Sequence, residues 1–389
     1  MMAGLHPSPL FSIGALALAG GTVAFIALFA LFAVYAERKV SAWIQDRMGP
    51  TEVGPHGLLQ TLADILKLLQ KETILPTGSD RWLFLLAPLV VFVAVFTGFA
   101  VIPWGPGLAG ALTGTGLLFL LAIVSIDVIG LLMAGWASQS KYALLGSFRA
   151  VSQIISYEIP AGLCLLAVVL CFGTLQLDDI ARQQGVLAST PIYFLGLAEV
   201  NAYGGLFAWA IFQYPHLLPV AVLFFITALA EANRAPFDIP EAESELVSGF
   251  HVEYSGFRFA VLMLAEYAMM LLLSLLLAVL FLGGWNTPLP NLTTLPVGVD
   301  PFALDTLARL RNLQLATLTT GTPYSVASWL WGAFWLLAKG FALVGLMMWV
   351  RWTLPRLRAD QLLVLCWKYL IPLSMAGVVI SILWKVWVA

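Results

Sequence analysis

Five ionisable side chains sit inside stretches that are otherwise apolar: Asp127, Glu158, Glu231, Glu266 and Lys339. A charge at the centre of a hydrocarbon layer costs about 2.5–3.5 kcal/mol even on a lenient insertion scale. Together they would rival the stability of a whole domain. They are therefore expected to face the interior of a helix bundle, paired or hydrated. Carboxyl groups removed from bulk water can be tuned to take up and release protons near neutral pH, so the chemistry they suggest is proton handling. Structural ion pairing is the competing explanation. It is strongest for Glu231, because Arg234 follows three residues later and could share its helix face.

The densest acidic run extends from Ala230 to Tyr254, with Glu231, Asp238, Glu241, Glu243, Glu245 and Glu253 against the single Arg234. Pro240 suits the first position of a helix, and acids in the first turn favour its positive end. Two acids would satisfy that dipole. The remaining ones repel each other and need water, partners or protons, which favours function over capping. Two further polar runs stand out: Glu37-Arg38-Lys39, leading to Trp43, Asp46 and Arg47, and the set Lys141, Tyr142, Arg149, Tyr157 and Glu158. Interfacial cations that extend toward water explain the basic members equally well.

The elements that must position these groups follow from composition. Of 389 residues, 61% are hydrophobic and 10% charged, against about a quarter charged in soluble domains. Apolar stretches near 14–36, 82–102, 115–137, 157–176, 214–231, 258–283, 329–350 and 369–388 each approach the ~20 residues that cross a bilayer. The expected fold is an all-α polytopic bundle of eight transmembrane helices forming one membrane domain over 1–389. The fifth span is the weakest, since Pro215 and Pro219 interrupt its start. The first is expected to be a retained helix, because no basic leader or cleavage pattern precedes it. Most Lys and Arg residues fall in the odd-numbered loops, which the positive-inside rule places in the cytoplasm, leaving both termini periplasmic.

Gly57 to Lys71 puts Leu58, Leu62, Ile65 and Leu69 on one stripe and Gln60, Asp64, Lys67 and Lys71 elsewhere, the pattern of an amphipathic helix lying at the membrane surface. Between Trp285 and Ser328 a turn-rich stretch holds one short amphipathic segment near Phe302 to Leu313. No internal repeat is evident, unlike the paired halves common in secondary transporters. Cys164, Cys171 and Cys366 lack metal-ligand spacing and only four histidines are present, so no cofactor is expected on this chain. A net charge of −2 gives nucleic acid no electrostatic footing.

The segments AERKVSAWIQDRMGP (36–50), GPHGLLQTLADILKLLQKE (54–72), GWASQSKYALLGSFRAVSQIISYEIP (135–160) and EANRAPFDIPEAESELVSGFHVEYSGFRFAVLMLAEY (231–267) resemble the membrane quinone-module component of bacterial respiratory complex I, NADH:quinone oxidoreductase. The resemblance covers nearly the whole chain. It implies that Glu37, Arg38, Asp64, Lys67, Arg234 and Asp238 line or border the quinone cavity, and that 57–71 frames its entrance. It further implies that Asp127, Glu158, Glu231, Glu241, Glu243, Glu245 and Glu266 form an acidic path to antiporter-like proton pumps. Quinone is the implied substrate. Iron–sulfur clusters and FMN belong to partner subunits, which include peripheral quinone-module subunits and other membrane subunits, in a bacterial inner membrane.

Departures from that pattern are Thr51-Glu52-Val53 where an Asn-Arg-Val triplet is common, Gln139 and Ala232 where Asn and Thr are common, and a long 285–328 stretch. None touches the implied acids. Rival readings are the membrane anchor of an energy-converting hydrogenase, opposed by the Pro-Glu-Ala-Glu-Ser-Glu-Leu run, a stand-alone ion transporter, opposed by the missing repeat, and a purely structural anchor.

Overall fold

A computed structural model describes residues 9–111, 113–186, 188, 191–194, 198–199, 204–240, 243–290 and 326–388. The described chain is helical apart from a two-residue antiparallel pairing of Tyr193–Phe194 with Ala198–Glu199. Among the described residues, seven helices are long and apolar enough to cross a membrane. These are α1 (Pro9–Ile44), α3 (Arg81–Gly98), α4 (Gly116–Ala137), α5 (Lys141–Phe172), α10 (Phe257–Phe281), α11 (Val326–Thr353) and a composite of α12 (Ala359–Val364) with α13 (Ile371–Val388), joined through a π-helical turn at Leu365–Leu370. An eighth apolar helix, α8 (Leu217–Glu231), has only 15 residues. It is preceded by the single turn α7 (Ala210–Gln213).

Three boundaries differ from the sequence-based expectation, because a hydropathy window registers the oily stretch rather than the helix: it misses the polar extensions of the first and fourth and counts non-helical residues at the start of the fifth. The first helix continues to Ile44, so Glu37, Arg38 and Lys39 lie on it rather than beyond it. The fourth starts at Lys141 instead of 157, which places Arg149 and Glu158 on one continuous rod. The fifth starts at Leu217, after a tight turn through Pro215. The expected segment near Phe302 to Leu313 lies outside the described residues.

Local chemistry sets the helix ends. Asp80 caps α3 by accepting from Trp82 N at 3.2 Å, which satisfies a backbone donor that the first helical turn leaves open. At the far end of α5, Gly173 closes the helix with φ +71°, a conformation that costs glycine little. The central element is α10, buried along almost its whole apolar length. It packs on α1, α3, α8 and α11, while α4 and α5 form the next layer. One end of the bundle gathers the end of α1, the starts of α3, α5 and α10, and the exits of α4, α8 and α11. Asp80 N donates to Ala137 O there, and Leu357 N donates to Pro236 O.

The opposite end is tied by buried amides. Gln184 follows the short helix α6 (Leu177–Arg182). Its Nε2 donates to Val279 O at 2.9 Å, and its Oε1 accepts from Ala210 N at 3.0 Å and Gly283 N at 2.9 Å. Lys339 belongs to this region. Its ammonium donates to Leu282 O, Gly284 O and Asn286 O at 2.6, 2.9 and 2.5 Å and lies 4.3 Å from the Trp209 ring centroid. Those three carbonyls use all three ammonium protons. This lysine therefore fastens the end of α10, apart from the carboxylates with which the sequence grouped it.

Between α1 and α3 lies α2 (Gln60–Gln70), which follows a 3-10 turn at Pro55–Gly57. Leu58, Leu62, Ile65 and Leu69 are exposed, as a stripe facing lipid or a partner would be.

Candidate functional site

At the polar end of the bundle, four elements converge on one carboxylate. Glu37 of α1 is buried and receives the Tyr267 hydroxyl proton of α10 at 2.5 Å. It pairs with Arg234 Nη1 at 3.3 Å and with Arg351 Nη1 of α11. The Arg234 guanidinium sits over the Tyr267 ring, 4.2 Å from its centroid, a favourable placement for a cation removed from water. Arg234 Nε and Nη2 are also buried and meet no hydrogen-bond acceptor among the described residues. Two guanidinium groups facing one carboxylate leave this corner net positive.

Arg234 reaches Glu37 because the chain leaves α8 in a tight turn. Arg234 N donates to Leu229 O, and Asn233 adopts φ +50°, in the left-handed region where Asn is among the better-tolerated residues. The turn separates the two charged neighbours: Arg234 pairs across the bundle with Glu37, while Glu231, for which pairing with Arg234 is the competing explanation, lines a cavity instead.

Glu231 lines a small cavity with Asp127 of α4, Glu266 of α10, Asn233, Phe250 and Met269. The cavity measures about 20 Å³, enough for a single water. Asp127 Oδ1 is buried without a hydrogen-bond partner among the described residues, and an orphaned acceptor of this kind needs a water or a proton. Around this wall, Gln153 of α5 donates to Ala230 O at 2.7 Å and Asn233 Oδ1 at 3.2 Å, fixing the end of α8. Glu158 accepts from Ser125 Oγ one helix away, and both it and Asp127 are near enough to act electrostatically on Glu231. Glu266 Oε1 lies 2.9 Å from His251 Nε2.

The two clusters are contiguous. Glu266 and Tyr267 are neighbours on α10, one facing the cavity and the other facing Glu37. Glu231 and Arg234 make the same junction from the end of α8.

The remaining described sequence candidates are more exposed. Arg38 donates to Asp64 of α2 at 2.6 Å, both partly exposed, which ties the surface helix to α1. Lys67 is exposed on α2. Asp238 lies 3.9 Å from Arg356. Glu245, on α9 (Glu243–Leu246), accepts from Arg149 at 2.6 Å. That hydrogen bond, together with the guanidinium charge, holds the Glu245 carboxyl below its ordinary 4.5. Glu241 lies outside the described residues, as does the side chain of Glu243. The structure thus brings Asp127, Glu231 and Glu266 together, places Glu158 beside them and Glu37 with Arg234 next door, and leaves Arg38, Asp64, Lys67, Asp238 and Glu245 outside these two clusters.

Sequence reasoning missed Tyr267, Arg351, Gln153, Asn233 and His251 as parts of the site. A tyrosine in an apolar helix and an arginine at a helix end have ordinary roles as packing and interfacial groups. The available signal was that Gln153 falls within the 135–160 motif and Asn233, His251 and Tyr267 within the 231–267 motif.

A helical bundle of this hydropathy, with acids gathered inside it, defines an integral membrane protein. The chain belongs to the NADH dehydrogenase family, whose model matches residues 18–382. It is 53% identical over 371 residues to the second H-type chain of the NADH-quinone oxidoreductase of Cytophaga hutchinsonii, covering 93% of this chain and 96% of that one. It is 48% identical over 377 residues to the H-type chain of the NADH-quinone oxidoreductase of Chlorobium luteolum, covering 97% and 90%. The corresponding chain of Geobacillus kaustophilus is 40% identical over 378 residues, covering 97% and 94%. The resemblance drawn from the four motifs therefore holds along the chain, whose relatives carry the name of H-type subunits of NADH-quinone oxidoreductase.

Proposed function

We propose that this chain forms part of the quinone chamber of NADH:quinone oxidoreductase and passes the charge change of quinone reduction to a buried acid path. The observation that carries this reading is the junction of the two clusters. A net-positive corner at Glu37, Arg234, Tyr267 and Arg351 stands next to the carboxyl-lined cavity of Asp127, Glu231 and Glu266.

Quinone takes up two electrons and two protons to become quinol. In this reading the electrons come from an iron–sulfur cluster in a peripheral partner, NADH and FMN chemistry stay in the other subunits, and this chain carries no redox centre. The guanidinium groups of Arg234 and Arg351 stabilise negative charge developing on the quinone side. The acids take up or hand on protons as a coupled group, so no single carboxylate has a private titration.

The chamber wall comprises Glu37, Arg38, Asp64, Lys67, Arg234 and Asp238. The proton path comprises Asp127, Glu158, Glu231, Glu241, Glu243, Glu245 and Glu266. The architecture in this proposal is one membrane domain of eight spans, with α8 counted as the short fifth and α2 lying along the surface beside the quinone entrance. The chain sits in a bacterial inner membrane with both termini in the periplasm, and antiporter-like subunits receive the acid path.

Charge reversal, Arg234→Glu, tests this reading in the assembled complex. Quinone reductase activity should fall at least tenfold, while electron transfer from NADH to ferricyanide stays at the wild-type level. Wild-type quinone reductase activity in complex of normal ferricyanide activity would contradict the assignment, whereas equal loss of both activities would mean misassembly.

A further inference from the structure

His251 is a buried titratable side chain that the proposed mechanism leaves unused. It sits in a 3-10 turn, Gly249–His251, in the loop that leads into α10. That turn is pressed against α5 where two glycines meet: a Cβ on Gly146 would lie 2.7 Å from Gly249 Cα. The approach sets the backbone that delivers the imidazole. The ring is flanked by Phe250, with centroids 3.9 Å apart, and Phe259 at 5.6 Å, and its side chain is 2% exposed. Its Nε2 lies 2.9 Å from Glu266 Oε1, and Glu266 and the adjoining Phe250 both line the cavity of Asp127 and Glu231.

We infer that His251 is a positioning residue for Glu266: its ring, fixed by the glycine contact between the loop and α5, holds the carboxyl at the cavity wall and makes the loop's seating a condition for proton transfer through that cavity. An acid on a long side chain has several rotamers available. A hydrogen bond between the carboxyl and a ring held between Phe250 and Phe259 selects one of them and orients the carboxyl group. The charged and titratable groups facing the pair include Asp127 from α4 and Arg234 beyond the end of α8, with Glu231 on the same cavity wall. At this contact α5 brings Gly146, and the head of α10 places Arg258 over the Phe84 ring.

This inference rests on the reading of the acids as a proton path, and the experiment separates the two. His251→Phe keeps an aromatic ring between Phe250 and Phe259 but removes the ring nitrogens. His251→Gln keeps a donor. Each is compared with Glu266→Gln and with the double variant His251→Phe/Glu266→Gln, in proteoliposomes of the whole complex matched for NADH:ferricyanide activity. Expected are a fall of at least fivefold in quinone-coupled proton translocation for His251→Phe, retention of at least half for His251→Gln, and a double variant no worse than Glu266→Gln alone, since the two groups would act as a unit. Wild-type translocation in His251→Phe, equal loss in His251→Gln, or losses that multiply in the double variant would overturn the inference while leaving the acid path standing. Full translocation in Glu266→Gln would remove Glu266 from the path itself.

Discussion

Glu37 illustrates how a buried charge becomes tolerable. One carboxylate receives two guanidinium groups and a phenol, and removing any donor leaves the remainder unbalanced in a poor solvent. Arg351→Met is accordingly expected to weaken quinone reduction several-fold in assembled complex, measured as the ratio of quinone to ferricyanide activity; an unchanged ratio would take Arg351 out of the chamber. Glu37, Asp127, Glu231 and Glu266 were legible in the sequence because an ionisable group in or beside an apolar run is conspicuous. Tyr267 and Arg351 were not, because neither is out of place until the fold turns it toward Glu37. Lys339 was legible as an anomaly but not in its role, since its partners are backbone carbonyls, which no residue code displays. Lys339→Met should lower complex stability by about 3 kcal/mol, from three carbonyls left without donors. That loss would register as a lower melting temperature with normal turnover per assembled complex.

The elements divide by what a one-dimensional reading can detect. Apolar helices announce themselves by length, so every expected span finds a described apolar helix, the fifth a short one. The polar extensions of α1 and α5 carry no such signal, and these extensions hold Glu37, Arg149 and part of the Gln153 clamp. Contacts that seat the loop from Arg234 to Tyr254 include the Gly146–Gly249 approach, the Arg149–Glu245 pair and the Tyr254 hydroxyl donating to Phe84 O at 3.3 Å. Gly146→Val should unseat it, since the added carbons have no room, and so should increase hydrogen exchange across 243–254. The Arg149–Glu245 pair contributes a weak pH dependence of the same observable. Because the folded carboxyl titrates below 4.5, the pair is intact above that value and is lost as pH falls through the lowered one. Protection of the loop amides, measured against the intrinsic exchange rate at each pH, should therefore fall on acidification in the wild type and fall less in Arg149→Gln, with identical profiles contradicting the contact's role. At α2, a photoreactive quinone analogue should label between Asp64 and Lys71 if this helix borders the entrance, and labelling confined to 285–290 would contradict that placement.

At the scale of the molecule, the bundle has two differently built ends. One is closed by amides and an ammonium bonded to backbone carbonyls around Gln184, Asn286 and Lys339; the other holds opposed charges and a cavity of water size. In the proposed reading this asymmetry suits a subunit that receives charge from one side and passes it sideways to partners, rather than one that conducts ions straight across. The central claim is that the buried acids couple quinone reduction to proton movement, and Glu231→Gln tests it most directly because it changes charge with little change in shape. Simultaneous recording of quinone reduction and proton uptake into proteoliposomes, with complex content fixed by NADH:ferricyanide activity, should show both falling together by at least tenfold. Wild-type values for both in fully assembled Glu231→Gln complex would contradict the account.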